Sequence, residues 1–445
     1  MPFRTLEEIL GLFVAAKAVT IDSRQVPPGS LFFAIRGERF DGNAFALGAL
    51  EKGAAAAIVD DPAVAAKHAQ CWLVEDAERT LQELGTAYRQ RFTIPVLGIT
   101  GSNGKTTTKE LVAAVLSRRY KTHFTQGNLN NHLGVPLTLL AMPVKTEFAV
   151  IEMGANHQGE IAQLSAIANP DYGLITNIGK AHLEGFGGME GVKKGKSELY
   201  RHLEKNGGTA FVNLGEPFLK DLVRGVPELI TYQAVAEGEK SEAAIVCTVH
   251  ETAPFISYSF EHRKQTYRGK AQLFGAYNVQ NIVTALAVGL HFGVPPDRIV
   301  EAIADYQPGN NRSQLVERGT TTFLLDAYNS NPTSLENALR YLASVNTGEK
   351  KMAIIGDMLE LGDTSQQEHE RMVELTRELA LDEVIFVGPL FAGPARKGGA
   401  QHFEDVAQLK AWFDGRTWDH YRILVKASRR LALERLLKST PTENA

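Results

Sequence analysis

This sequence of 445 residues has little cysteine, no long apolar stretch and no large excess of charge of one sign. Its two cysteines, Cys71 and Cys247, are too few and too far apart for a disulfide framework or a zinc site. No apolar run approaches the roughly 18 residues that span a membrane, and the first residues lack the apolar core of a signal peptide. We therefore expect a cytoplasmic protein with two free, mostly buried thiols.

The balance of charge argues against partners that are recognised through a global electrostatic field. The chain carries 47 basic and 51 acidic side chains, a formal net charge of -4. Nothing in this balance favours nucleic acid or an anionic membrane surface, so we expect neither as a partner. An anionic ligand would have to be bound by local geometry.

The order of apolar runs predicts an α/β protein with three domains, which the chain length also allows. A small mixed α/β domain comes first and a central parallel-sheet domain follows, carrying an antiparallel appendage at residues 244–260. A Rossmann-like, doubly wound domain comes last. The predicted domains are residues 1–91, 92–311 and 312–445. The predicted strands are residues 30–35, 55–59, 71–74, 95–100, 148–153, 172–178, 209–213, 244–249, 255–260, 322–325, 352–355, 383–387 and 422–425.

A glycine-rich turn between a predicted strand and a predicted helix carries the strongest chemical signal. Residues 98–106 read Gly-Ile-Thr-Gly-Ser-Asn-Gly-Lys-Thr. Gly101 and Gly104 let backbone N–H groups approach an anion, and the helix N-terminus adds partial positive charge. Lys105 can reach the β- and γ-phosphates of a nucleotide, and the Thr106 hydroxyl can bind magnesium. A glycine-rich turn without a ligand is the alternative interpretation.

Two later strands place candidate metal ligands near their carboxyl ends. Glu152 ends the apolar run 148–151, and a carboxylate in that position is costly unless a cation meets it. A structural salt bridge is the alternative. The next predicted strand leads to His182, whose imidazole could bind a second divalent ion.

The phosphate loop resembles that of the Mur ligase and folylpolyglutamate synthetase superfamily. Ile99 replaces the glycine of the standard pattern, which argues against GTPases and ordinary nucleotide kinases. In the family a lysine stands 14 positions after the histidine that corresponds to His182, and here that lysine is Lys196. Several Mur ligases carry this lysine as a carbamate, which offers the anionic oxygens that hard cations select. We expect Lys196 to be carbamylated, and an unmodified lysine that binds phosphate is the alternative.

The resemblance also implies the contacts of ATP. Residues 275–281 resemble the family's Gly-x-x-Asn-x-x-Asn segment, so Asn278 and Asn281 are candidates for the adenine edge, although the segment by itself reads as a helix cap. Arg312, which follows Asn310 and Asn311 at a domain junction, could reach the γ-phosphate when the domains close. The phosphate-loop candidates are Gly101, Ser102, Asn103, Gly104, Lys105, Thr106 and Thr107.

Two segments of the third domain resemble the branch of the family that adds D-alanyl-D-alanine. These are residues 326–332, with serine in place of the usual alanine at position 330, and residues 356–362. In the first segment Asp326 or Tyr328 would contact the ribose, and Asn329 the base or a phosphate. A turn-forming cluster is the alternative.

The resemblance places a UDP-linked muropeptide on the first two domains. Ser23 and Arg24 stand beside a turn that suits a uridine diphosphate, although surface placement without a ligand is the alternative. Asn43 stands where relatives often carry histidine, which leaves its role open. In the loop at residues 125–131, Asn128 and Asn131 are candidates for contact with the muropeptide.

The resemblance extends over nearly the whole chain and implies a magnesium-dependent enzyme, and a monomer is the default expectation. The implied reaction uses ATP to join D-alanyl-D-alanine to a UDP-linked muropeptide through an acyl phosphate. Alternatives are a sister ligase that adds one amino acid, or glutamate to folate, and a kinase that releases a phosphorylated product. A non-enzymatic nucleotide-binding protein is a further alternative, in which Glu152, His182 and Lys196 would have no purpose.

Overall fold

The structure is a computed structural model that describes residues 2–16, 18–38, 40–309 and 312–437. Asn310 and Asn311 of the predicted domain junction, and the polar tail at residues 439–445, lie outside the described residues. Among the helices of the described part, none is long and apolar enough to cross a membrane.

The first unit is a small α/β arrangement. Its elements are α1 (Leu6–Ala16), β1 (Val19–Thr20), β2 (Leu31–Phe33), β3 (Arg36–Gly37), β4 (Phe40–Asp41), α2 (Ala46–Glu51), β5 (Ala56–Val59), α3 (Pro62–Ala65), β6 (Cys71–Leu73) and α4 (Ala77–Arg89). A parallel sheet has the order β1-β2-β5-β6, and β3 and β4 form a separate antiparallel pair. The strands predicted at 30–35, 55–59 and 71–74 are confirmed to within two residues at each end.

Helix α4 joins the first unit to the central unit through one continuous apolar core. Leu81 and Leu84 are fully buried in a cluster that contains side chains of both units. Gly85 lies so close to Pro136 that an added Cβ atom would stand 3.0 Å from the proline Cα. The Tyr88 hydroxyl donates a hydrogen bond to the Met142 carbonyl at 3.0 Å. The first two predicted domains therefore pack as neighbours through α4, without a free linker between them.

The central unit is built on a sheet of nine strands. Its elements are β7 (Val96–Thr100), α5 (Lys105–Leu116), β8 (Thr122–Phe124), α6 (Gly134–Leu140), β9 (Phe148–Glu152), α7 (Glu160–Ala168), β10 (Tyr172–Ile175), α8 (Leu183–Phe186), α9 (Met189–Lys196), α10 (Glu198–Asn206), β11 (Thr209–Asn213), α11 (Leu219–Leu222), β12 (Glu228–Ala236), β13 (Ile245–Glu251), β14 (Ile256–His262), β15 (Gln265–Ala271), α12 (Val279–His291) and α13 (Pro296–Asp305). The strand order is β15-β14-β13-β12-β11-β10-β7-β9-β8. The phosphate-loop strand β7 thus lies between β9 and β10, and this places their carboxyl ends side by side.

The antiparallel appendage predicted at residues 244–260 continues the central sheet. Strand β13 pairs with β12 in parallel, and β14 and β15 then add in antiparallel order. The prediction missed β12 and β15, whose residues are for the most part only partly buried or exposed. Strands with one exposed face, such as β12, or at the sheet edge, such as β15, lack the continuous apolar run of a fully buried strand.

The third unit is a doubly wound sheet. Its elements are β16 (Gln314–Arg318), β17 (Thr321–Asp326), α14 (Pro332–Ser344), β18 (Lys350–Gly356), α15 (Ser365–Glu378), β19 (Glu383–Val387), α16 (Pro389–Lys397), β20 (Gln401–Phe403), α17 (Val406–Asp414) and β21 (Tyr421–Lys426). The strand order is β16-β17-β21-β18-β19-β20, and all pairs are parallel except β16 with β17. Separate apolar clusters cover the two faces. The four predicted strands are confirmed as its centre.

Polar contacts hold the third unit against the central unit. Asn331, which caps the N-terminus of α14, donates a hydrogen bond to the Asn103 side-chain oxygen at 2.7 Å. Lys180 pairs with Glu368 at the same junction. The first contact brings the phosphate loop to face the start of α14, and the second ties the segment after β10 to α15.

Candidate active site

A cavity of about 580 Å³ opens where the carboxyl ends of the central and third sheets face each other. Its size is typical of ligand sites in proteins. It brings together most of the residues that the sequence singled out. The predicted residues that line it are Ser102, Asn103, Gly104, Lys105, Thr106, Thr107, Asn128, Asn131, Glu152, His182, Asn278, Asn281, Arg312, Asp326, Tyr328 and Asn329.

The phosphate loop has a backbone conformation that only glycine adopts readily. Gly101 has φ 141°, and an added Cβ atom would stand 2.0 Å from the Thr176 hydroxyl oxygen. Gly104 has φ 78°, and its added Cβ atom would stand 2.6 Å from the Asn281 side-chain oxygen. Asn177 fixes the loop from the neighbouring strand, because its side chain accepts from the Asn103 N–H and donates to the Asn103 carbonyl, both at 3.0 Å. The loop is therefore shaped before any ligand binds.

Lys105 begins helix α5 and turns back over the loop. Its Nζ donates to the Gly101 carbonyl at 2.6 Å and to the Ser102 carbonyl at 3.3 Å. Burial lowers the pKa of Lys105 to about 8, the nearby Glu152 carboxylate opposes this shift, and the Arg312 charge adds to it. Two positive groups thus converge on one end of the cavity, where an anion would relieve their repulsion.

Glu152 is fully enclosed at the end of β9. Its Oε1 accepts hydrogen bonds from the Thr106 hydroxyl at 3.1 Å and from the Asn130 amide at 2.7 Å. Its Oε2 has no hydrogen-bond partner among the described residues, and the nearest cation is Lys109 Nζ at 3.8 Å. A buried carboxylate oxygen without a donor is costly, and a bound cation would remove that cost.

The oxygens at this point fit magnesium. Hydroxyl and carboxylate oxygens are the ligands that hard cations prefer, and Mg²⁺ is often bound by one or two carboxylates together with substrate phosphates. Within the described residues, no three histidine, cysteine or acidic side chains form a metal-binding group. A cation held by Thr106 and Glu152 would therefore depend on ligands from the substrate as well.

The third unit contributes cations and one aromatic ring to the opposite wall. The Arg312 guanidinium lies 3.6 Å from the centre of the Tyr328 ring, and its Nε has no hydrogen-bond partner among the described residues. Lys426 ends β21 directly beside Asp326 at the end of β17, and its Nζ lies 2.5 Å from the Asp326 carboxylate. Positive charge thus stands on both sides of the cavity, and a polyanion fits between.

Family models match all three units in chain order. The Mur ligase family catalytic domain matches residues 16–91, the Mur ligase middle domain residues 99–289, and the Mur ligase glutamate ligase domain residues 311–441. A relative from Bacillus subtilis (strain 168), the UDP-N-acetylmuramoyl-tripeptide--D-alanyl-D-alanine ligase, is 35% identical over 439 residues, which cover 94% of this chain and 92% of the relative. The chain belongs to the Mur ligase family.

Solved structures of this family share the whole fold. The structure of MurF from Acinetobacter baumannii is similar with a TM-score of 0.84 and 33% identity, and the match covers 95% of this chain and 92% of that chain. The MurF ligase from Thermotoga maritima, solved in complex with ADP, is similar with a TM-score of 0.82 and 28% identity, with 96% and 97% covered. The predicted fold class is thereby confirmed.

Lys196 lies behind the cavity wall in this Mur ligase. It is 1% exposed, and its Nζ donates to the Ala155 carbonyl at 3.1 Å, while Ala155 itself lines the cavity. Burial, with the charge of Lys105, holds the pKa of Lys196 well below its usual value. Its neighbour Lys194 is exposed, so Lys196 stands apart from the basic run around it.

His182 has a different neighbour from the one the sequence led us to expect. Its Nδ1 lies against the Glu360 carboxylate, which the third unit supplies from the segment 356–362. The contact with His182 lowers the pKa of Glu360. His182 lines the cavity and joins the two units in this arrangement, and its role as a metal ligand stays a prediction.

The candidates for substrate contact in the first two units differ in position. Asn128 is exposed on the cavity rim, whereas the Asn131 side chain accepts from the Gly134 N–H at 2.9 Å, at the start of α6. Ser23 and Arg24 lie outside the cavity. The Arg24 side chain is 87% exposed and pairs with Asp22.

Several residues of the site were not predicted from the sequence. Lys426 and Asn177 follow buried apolar strands in the same way as Glu152, and that pattern could have identified them. Lys109 gave no signal, because a lysine on an amphipathic helix normally faces solvent. Here the helix is covered on all sides, and Lys109 is 1% exposed.

Proposed function

We propose that this Mur ligase uses ATP to join D-alanyl-D-alanine to a UDP-linked muramoyl-tripeptide. The observation that carries the proposal is the cavity in which a preformed phosphate loop, the Glu152 carboxylate and the third-unit cations Arg312 and Lys426 face one another. Supporting it, the relative that bears this activity in its name matches 94% of this chain. We further propose that the chain acts as a cytoplasmic monomer with its domains at residues 1–91, 92–311 and 312–445.

The chemistry runs in two steps. The terminal carboxylate of the tripeptide attacks the γ-phosphorus of ATP, which forms an acyl phosphate and releases ADP. The amine of D-alanyl-D-alanine then attacks the acyl carbon, and the tetrahedral intermediate loses phosphate as the amide forms. Lys105 and Arg312 stabilise the charge that develops on the transferred phosphoryl oxygens.

A magnesium ion belongs to this proposal because the donor set fits one. The Thr106 hydroxyl and Glu152 would hold it, and His182 and Lys196 would hold a second magnesium ion. When bound, the ion neutralises charge on the β- and γ-phosphates.

Lys196 is the proposed site of a carbamate. An amine reacts with carbon dioxide only in its neutral form, and the enclosure of Lys196 favours that form. The carbamate would convert a buried amine beside Ala155 into an anion that can face a cation. No other lysine of the run 193–196 is fully buried.

The remaining predicted residues are proposed contacts of the two nucleotides. Gly101, Ser102, Asn103, Gly104 and Thr107 would surround the ATP phosphates together with Lys105 and Thr106. Asp326 or Tyr328 would contact the ribose, and Asn329 the base or a phosphate. Asn278 and Asn281, whose side chains already bond to protein groups, would lie against the adenine edge. Ser23 and Arg24 would contact the uridine diphosphate, and Asn128 and Asn131 the muropeptide.

In the proposed reaction, contact between the third and central units would keep water away from the acyl phosphate. An acyl phosphate hydrolyses if water reaches it, so the reacting carbon has to be covered before the amine arrives. The hydrogen bond from Asn331 to Asn103 ties the start of α14 to the phosphate loop. This contact would couple closure of the third unit over bound ATP to the position of the phosphate loop.

The proposal is tested by phosphate release from ATP with UDP-muramoyl-tripeptide and D-alanyl-D-alanine, each substrate being left out in turn. Release that requires both substrates, with a product heavier by the dipeptide, is the expected result. Release that requires a single amino acid or folate in place of the dipeptide would instead indicate a sister ligase. A phosphorylated product without free phosphate would indicate a kinase, and ADP binding without any turnover a binding protein.

A further inference from the structure

The cavity extends past the phosphate loop to a second end. There the carboxyl end of β11 meets the N-terminus of α12, and Glu216 and Gln280 line the wall beside Asn278 and Asn281. Gly104 of the phosphate loop lies directly against Asn281. A nucleotide whose phosphates occupy the loop can therefore place its uncharged base at this end.

The two asparagines have little hydrogen-bonding capacity left for a base. The Asn278 amide donates to the Phe274 carbonyl at 2.8 Å and to the Ser313 hydroxyl at 3.3 Å, and its oxygen accepts from Asn281 at 2.8 Å. The Asn281 oxygen accepts from the Thr108 hydroxyl at 2.9 Å. Both side chains are at most 5% exposed. Their bonds fasten α12 to α5 and to the start of the third unit.

Glu216 and Gln280, in contrast, keep unused polar atoms. No described residue donates a hydrogen bond to the Glu216 carboxylate, and burial raises its pKa to about 7. The orientation of the Gln280 amide follows from its neighbour. Asn213 Oδ1 accepts from the Gly215 N–H, so Asn213 Nδ2 is the donor to Gln280 Oε1 at 2.6 Å. Gln280 Nε2 is left without an acceptor among the described residues.

We propose that Glu216 and Gln280 select the base of the nucleotide. The Glu216 carboxylate accepts a hydrogen bond from the 6-amino group of adenine, and Gln280 Nε2 donates to an adjacent ring nitrogen. Guanine carries a carbonyl oxygen where adenine has the amino group, so above the pKa of Glu216 it would face the ionised carboxylate with like partial charge. This inference rests on the proposed function, because it takes ATP as the nucleotide.

The test compares kcat/KM for ATP, for GTP and for purine riboside triphosphate, which lacks the 6-amino group. In the parent enzyme we expect the purine analogue to be roughly ten- to hundredfold poorer than ATP, as for a lost hydrogen bond to a charged group. Glu216→Ala should lower kcat/KM for ATP by a similar factor and leave kcat/KM for the purine analogue nearly unchanged. Glu216→Gln should narrow the preference for ATP over GTP, because its amide can donate to guanine.

Asp221→Asn is the matched control, since Asp221 lies five positions further along the chain, is exposed and does not line the cavity. Asp221→Asn should leave the ratios of kcat/KM among ATP, GTP and the purine analogue unchanged. An equal loss for ATP and the purine analogue in Glu216→Ala, or an unchanged ratio of ATP to GTP in Glu216→Gln, would overturn the proposal. Calorimetric binding of ADP against GDP measures base preference without turnover. A protein that prefers ADP through Glu216 but releases no phosphate would contradict the proposed function alone.

Discussion

Lys109 Nζ lies 3.8 Å from Glu152 Oε2, and both side chains are 1% exposed. Lys109 also donates to the Gly127 carbonyl at 3.4 Å. It is therefore the cation that balances the buried carboxylate while it also holds the loop at residues 125–131 against helix α5. Removing it would leave one charge buried without a partner.

We expect Lys109→Met to lower the free energy of unfolding by about 3 to 5 kcal/mol, the range found when one partner of a buried ion pair is removed. Urea unfolding followed by circular dichroism measures the change. Lys397→Met is the control, because Lys397 pairs with Glu370 on the surface and such pairs contribute about 1 kcal/mol or less. A smaller loss for Lys109→Met than for Lys397→Met would contradict the assigned role.

Lys105→Ala should reduce kcat for phosphate release on the order of a hundredfold or more. One charge-stabilising donor at the reacting group contributes about 2.7 to 4 kcal/mol to the lowering of the barrier. The measurement is steady-state phosphate release with all substrates present. Lys121→Ala, at an exposed position directly before β8, should keep the parent rate. Near-normal turnover of Lys105→Ala would rule out the proposed phosphoryl transfer at this loop.

Lys196→Ala should be nearly inactive, and short carboxylic acids such as formate or acetate should restore part of its activity. The small acid would occupy the space of the side chain and supply the carboxylate oxygens of the missing carbamate. Phosphate release is followed as the acid concentration rises. Lys194→Ala, the exposed neighbour, should need no rescue. If no acid restores Lys196→Ala, the carbamate proposal loses its support.

Glu216→Gln should stabilise the protein without nucleotide at pH 8 more than at pH 5. The pKa of Glu216 is about 7 in the folded protein, above its ordinary value of 4.5. A carboxyl with a raised folded pKa destabilises the fold as pH rises from 4.5 to 7, because ionisation is easier in the unfolded chain. The free energy of unfolding of Glu216→Gln should exceed that of the parent protein by about 1 to 3 kcal/mol at pH 8. Thermal midpoints at the two pH values measure it.

Asp221→Asn serves again as the control, since an exposed carboxyl should give the same change in midpoint at pH 5 and pH 8. An equal midpoint change for Glu216→Gln at both pH values would show that the environment of Glu216 does not favour its neutral form. That result would leave the base-selection experiment intact, because hydrogen bonding to adenine needs only the carboxylate oxygen.

The central strands were predictable because burial on both faces demands a continuous apolar run. Strands β7, β9, β10 and β11 of the central unit, and β17, β18, β19 and β21 of the third, follow this rule and were found. The edge strands β15, β16 and β20 escaped, because partial exposure permits polar residues in them. The parallel pairing of β12 with β13 also escaped, since pairing partners are set by packing.

Some residues of the candidate site could be predicted from a local sequence pattern, whereas others became evident only from their positions in the structure. The phosphate loop was evident because the conformations at Gly101 and Gly104 leave few residue types possible. Glu152 was evident because a charge ending an apolar strand is unusual. Glu216 and Gln280 are ordinary in sequence, and only the meeting of β11 with α12 brings them to one cavity.

The sequence by itself determined that this chain folds as three α/β units of the Mur ligase type and carries a short phosphate loop. It did so because apolar periodicity and backbone permissiveness are local properties. Only the tertiary structure decided that Lys109 pairs with Glu152, that His182 meets Glu360, and that Asn278 and Asn281 are already hydrogen-bonded. Those facts depend on which side chains from distant segments share a low-dielectric space, and short-range pattern does not encode that.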